Sequence, residues 1–293
     1  MTTTIAAYLA VSNNLSRYQA MTAAEPAVKT ATAYYEANIG KVTSIADFVG
    51  NYRLLSYALK AYGLGSEINA TALVTKVLEG GVSSSSSLAN TLSDTRWKAF
   101  ATAFDFVGQG ASSISTTSAV QTTESAYTEQ QLESDQGQSN VGVQLALYFN
   151  RVAPTLTSEY GVLADTNLTE VAQTIFGLSP STSATDIDVQ EQALTNLMPI
   201  SDLQDPTKLK QLTMRFAAMY DLDYGAASGS TSSLTVSSNN SSTTTSGASS
   251  VLAGVISSND DTISKALSAF TDTPTPLFSS ALLTSLQRIR LGG

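Results

Sequence analysis

The sequence predicts an all-α fold, and three observations carry that prediction. Apolar residues recur every three or four positions through most of the chain, and glycines punctuate the ends of those runs. One ordered set of these features then occurs twice, 114 residues apart. The expectation is a single all-helical domain over residues 1–293. It would be a multi-helix body of two related units, 34–106 and 148–222, an internal duplication with Ser/Thr-rich loops and terminal helices.

Ile5, Leu9, Leu15 and Tyr18 stand at near-helical spacing, interrupted at Asn13 and Asn14, and predict a first helix over 5–18. Pro26 suits a first helical turn and Gly40 a stop, which frames a second helix. From 45 to 62, Phe48, Tyr52, Leu55, Leu59 and Tyr62 form one amphipathic stripe, predicted as one helix. Gly63 then fits the left-handed position beyond a helix end, and Leu64 would fold back on the last turn. As a phosphate loop, Gly63-Leu64-Gly65 lacks a further glycine and a preceding strand, so the cap is the better reading.

Leu73, Val77 and Leu78 face inward on a further helix that Gly80 and Gly81 end. A short helix in SSLANTL follows the serine run 83–87. Asp94 is placed to N-cap the next helix, because its carboxylate can accept orphan N–H groups of the first turn. Trp97, Phe100, Ala101 and Phe104 form that helix's buried stripe; at this spacing Trp97 reads as core rather than a ligand platform.

The second unit is found by shifting the chain. Tyr34-Tyr35 falls on Tyr148-Phe149, Ala58 on Ala172, and Tyr62-Gly63-Leu64 on Phe176-Gly177-Leu178. With small insertions, Asp94 falls opposite Asp205, which precedes Pro206, and Phe104-Asp105-Phe106 opposite Tyr220-Asp221-Leu222. Between the copies, 107–123 reads as a mobile Gly/Ser/Thr-rich connection. A polar helix starting near Glu124 then turns apolar towards Tyr148. Beyond the second copy, 225–250 is low-complexity, a loop or a polar hairpin around Asn239-Asn240. A C-terminal helix over 276–291 carries Phe278, Leu282, Leu286 and Ile289, with Arg288 and Arg290 well placed against its dipole.

Composition excludes most chemistry. The chain has no Cys and no His, so thiol or imidazole catalysis and the usual zinc sites are ruled out. Asp186 and Asp188 are spaced like the opening of a calcium loop, but its glycine and distant Glu are missing, and helix-start carboxylates explain them better. Glu36 and Lys60 have acid–base chemistry, and nothing in the sequence supplies either with a partner. No catalytic, cofactor-binding or metal residue is therefore expected, and no enzyme activity. A formal charge of -9 argues against nucleic acid, which needs a basic surface. No apolar run is long enough to insert in a membrane. MTTTIAAYLAVSNN lacks the basic start of a secretory signal peptide.

Two stretches, ANIGKVTSIADFVGNYRLLSYALKAYGLG and LANTLSDTRWKAFATAFDF, resemble a domain family of unknown function encoded in flagellar gene clusters of alphaproteobacteria. The second-copy phrases LALYFNRVAPTLTSEYGVLADTNLTEVAQTIFGL and DPTKLKQLTMRFAAMYDL are similar to it too, as is the ending SLQRIRLGG. The resemblance covers most of the chain, departs in the serine-rich stretches, and brings no catalytic residues. It implies an all-helical fold and a non-enzymatic flagellar structural or assembly role with other flagellar proteins as partners. The location would be the flagellum or basal body after export without a signal peptide. Terminal helices carrying Ile5, Leu9, Leu15, Phe278, Leu282, Leu286 and Ile289 are candidates for partner binding, as in axial components, and an oligomer is allowed. Those stripes have a simpler role too, closing this domain's own core. The alternatives are a cytoplasmic export chaperone or regulator and, more remotely, a carboxylate-dependent hydrolase.

Overall fold

The computed structural model describes residues 3–225. The stretch 226–293 lies outside the described residues, and with it the expected C-terminal helix with Phe278, Leu282, Leu286 and Ile289 and the loop or hairpin expected past Gly225. Among the described residues there is no strand. Seven helices form the first series: α1 (Thr4–Ser12), α2 (Leu15–Ala23), α3 (Pro26–Ile39), α4 (Ile45–Gly50), α5 (Tyr52–Ala61), α6 (Thr71–Gly80) and α7 (Leu88–Thr91). Then come α8 (Thr95–Ala103), the long α9 (Thr117–Ser139) and α10 (Val141–Val152). The series closes with α11 (Glu159–Leu163), α12 (Thr166–Phe176), α13 (Ile187–Leu197), α14 (Ile200–Gln204) and α15 (Pro206–Gly225).

Asparagine breaks three helices that hydrophobic spacing alone would run together. Asn13 and Asn14 separate α1 from α2. Asn51, extended at φ −91° and ψ 91°, divides the expected 45–62 helix, and its side chain accepts from Leu54 N. The break rotates α5, so Tyr52 is 65% exposed while Leu54 is buried. Asn140 likewise caps α10 through Val143 N and separates it from α9. At Asn51 and Asn140 the short side chain takes up a backbone N–H group, which favours a new helix start over continuation, whereas Asn14 donates to Ala10 O at the end of α1. The expected mobile connection at 107–123 is also corrected. Ile114 is buried in a 3-10 turn, and α9, capped by Thr116, begins at Thr117, seven residues before the expected start at Glu124.

Two hydrophobic cores result. The first gathers α3–α8, with Phe104 against both Phe48 and Phe100, and Tyr35, Tyr57 and Tyr127 stacked in series at 4.6 and 3.9 Å. Trp97 belongs to it, 4% exposed. The second gathers α10–α15 around Phe149, Ile175 and Phe216, and takes in Tyr8 and Val11 of α1. Helix α9 serves both, Tyr127 facing the first core and Leu132 the second. Its 23 residues span about 35 Å, so a polar helix acts as a spine between two apolar bodies. At the second core, Gly142 admits α1 and α15 close to α10; a Cβ there would lie 2.5 Å from the Tyr220 ring and 2.9 Å from Thr4.

The order of elements recurs. A helix, a short helix, a second helix, a 3-10 turn, a third helix, another short helix and a closing helix run from α3 to α8 and again from α10 to α15, where an extra 3-10 turn, Ala153–Thr155, follows α10. Three details sit 114 residues apart. Gly63 and Gly177 are left-handed (φ 72° and 62°), each followed by a leucine whose N–H reaches five residues back, Leu64 to Leu59 O and Leu178 to Gln173 O. Asn51 and Asp165 N-cap α5 and α12. Tyr34 Oη donates to the Asn51 cap and Tyr148 Oη to the Asp165 cap.

Candidate interaction surface

Of the partner-binding candidates, Ile5 and Leu9 are half-buried, and Leu9 packs on the second core. The first turn of α1 is anchored as well: both Asp221 carboxylate oxygens accept from Thr4 N at 2.9 Å. So α1 closes this domain's own core. Leu15, 41% exposed, instead lines a cleft of about 250 Å³ between α1–α2 and α9–α10. Its wall holds an ion pair with a buried carboxylate and a half-buried guanidinium: Arg151 Nε and Nη2 donate to the two Glu133 oxygens at 2.7 and 2.9 Å, and Glu133 is 5% exposed. Burial pushes the Glu133 carboxyl up, and Arg151 pulls it back. Gln19 holds Glu129 beside the pair at 3.1 Å, and Asn150 donates to Tyr8 Oη at 3.1 Å.

The structure does not bring Glu36 and Lys60 together. Lys60 Nζ binds Gln131 on α9. Glu36 instead faces Glu124, also on α9, whose carboxyl is raised to about 7 by burial and then by Glu36's charge and hydrogen bond. Glu124 Oε1 is buried without a partner. This pair was missed because the two residues lie 88 positions apart, on helices whose pairing only the fold reveals. Asp186 accepts from Asp188 N at 2.9 Å, the helix-start role expected of it.

Two surface features have opposite charge. Between Arg151 and Lys208 the chain holds eight carboxylates and no Lys or Arg, a pattern legible in the sequence but easily lost in its overall balance. Within that stretch Tyr160 of α11 and Ile187 and Val189 of α13 are 44%, 49% and 60% exposed. Tyr160 Oη donates to Asp188 Oδ1 at 2.8 Å, and the neighbouring Asp186 and Glu191 help hold its phenol pKa above the ordinary value. On the first core, α3–α5 form an open concavity of about 750 Å³ that includes Lys41, Tyr52 and Arg53. The Arg53 guanidinium lies 3.7 Å over the Tyr34 ring, which holds it in place.

Residues 61–209, from the last turn of α5 into α15, match a family described as a protein of unknown function (DUF1217). The chain belongs to this family. The X-ray crystal structure of an Agrobacterium tumefaciens protein is similar over 76% of this chain and 97% of its own, with 38% identity and a TM-score of 0.70. No curated protein matches. No described helix is long and apolar enough to cross a membrane.

Proposed function

We propose that this DUF1217 protein is a non-enzymatic structural or assembly component of the bacterial flagellum that works through protein–protein contacts. The flagellar context is supported by the resemblance of its quoted stretches to a family encoded in flagellar gene clusters. Work by contact is supported by one observation above others: Tyr160, Ile187 and Val189 stand exposed among Asp186, Asp188 and Glu191. The recurrence of element order and of the Gly63/Gly177 and Tyr34/Tyr148 details supports descent from a duplicated unit.

A specific observation favours a second reading, a cytoplasmic flagellar export chaperone. Tyr8 and Val11 are buried in the second core, so the N-terminal helix of the folded protein is not a free secretion segment. For the same reason a truncation of 2–20 is a poor test, because it removes core side chains whichever reading holds. The test is fractionation of cells producing the tagged full-length chain, with and without a working flagellar export apparatus. Export-dependent recovery with purified hook–basal bodies is the expected result. Recovery in the cytoplasm in both strains would reject the structural role in favour of the chaperone.

A further inference from the structure

We propose that this chain associates with further copies of itself head to tail, the acidic α11/α13 face of one copy docking in the basic α3–α5 concavity of the next. The two faces belong to different helix groups: α3–α5 pack with α6 and α9, whereas α11 packs with α12 and α13. They are also unlike in kind. One presents Ile187 and Val189 among Asp186, Asp188 and Glu191; the other is a concavity with exposed Lys41, Arg53 and Tyr52. Asp47 on the concavity rim is engaged by Thr43 and Ser44, so the two cations outnumber it.

Charge and apolar character therefore match between copies. Aliphatic Ile187 and Val189 would cover Tyr52, which stands 65% exposed, and the carboxylates would meet Lys41 and the Arg53 guanidinium already positioned on Tyr34. Burying exposed apolar side chains supplies the driving force, and the opposite charges set register and partner choice. The acidic face also disfavours nucleic acid and anionic lipid as occupants, since both carry phosphate. Because the two surfaces differ, the contact is heterologous and continues from copy to copy as a ring or an open filament instead of closing as a two-fold dimer.

Sedimentation of the full-length chain tests this. At about 0.05 M salt the mass should rise with concentration past the dimer, and at about 0.5 M association should weaken roughly tenfold as the charges are screened. A monomer at every concentration, or a closed dimer, would overturn the proposal. Asp188→Lys and Arg53→Glu, each checked for native circular dichroism, should each leave the chain monomeric. An equimolar mixture should assemble again, because the reversed acidic face meets the reversed concavity while the unreversed pair is retained. A mixture that stays monomeric while the native chain assembles would show that these faces are not the ones in contact. The proposal does not rest on the flagellar reading, so its failure would leave the fractionation result untouched.

Discussion

Replacing Arg151 with Met isolates the energetics of pairing the buried Glu133 in the wall of the α1–α2/α9–α10 cleft. The Met stem keeps much of the arginine's apolar contact, but Glu133 loses both donors, at 2.7 and 2.9 Å, while only 5% exposed. Leaving a buried carboxylate unpaired costs about 3–5 kcal/mol. In a chain of this size each kcal/mol lowers Tm by about 2–4 °C, so Arg151→Met should melt roughly 10 °C below the native protein. Loss of the guanidinium from the Tyr148 ring, 5.4 Å away, adds a smaller share.

The pH dependence separates this account from a simple packing defect. Burial raises the Glu133 carboxyl and Arg151 opposes that rise, so removing the arginine pushes the folded-state pKa further up. An acid whose folded pKa lies above its unfolded one loses stability as pH rises between the two. The Arg151→Met defect should therefore be largest at high pH and shrink as the solution is acidified. Urea unfolding of Arg151→Met, Glu133→Leu and the double variant at several pH values measures it. The double variant should recover most of the loss, since an apolar pair replaces an orphaned charge. A loss below about 1 kcal/mol for Arg151→Met that does not vary with pH, or double-variant costs that simply add, would refute the reasoning.

Two further perturbations probe the two cores. Glu124, raised to about 7 by burial and then by Glu36, should make the native protein lose stability as pH climbs from about 4.5 through 7, and Glu124→Gln should flatten that decline. With Glu36 exposed to solvent the effect is expected to be ~1 kcal/mol, read from unfolding midpoints across that range. Gly142→Ala should cost about 1–3 kcal/mol by forcing the Tyr220 ring and Thr4 from α10; a neutral result in urea unfolding would show that α1 and α15 shift freely there.

What was legible in the sequence was local. Gly63 and Gly177 declared their helix ends because a left-handed residue needs glycine, and Asp94 and Asp205 declared helix starts because a short acceptor must sit beside free N–H groups. The same local chemistry makes two helices at Asn51, where an apolar stripe running past the asparagine suggests one, and at Asn140, where a polar run turning apolar suggests one. Tyr52 shows the consequence: read on the stripe, it belongs to the core, yet one extended residue before it turns it to solvent. The candidate sites are of another kind. Glu133 with Arg151 lie 18 residues apart, and Glu36 with Glu124 lie 88 apart; each is an ordinary surface-type residue until α9 is laid between the two cores. A helix judged polar by composition is the element that brings both pairs together, because its faces are shared between two bodies and no single face carries a long apolar stripe. The run of eight carboxylates without Lys or Arg between Arg151 and Lys208 was available all along. It matters only once α11 and α13 are seen to leave Ile187, Val189 and Tyr160 uncovered beside those carboxylates.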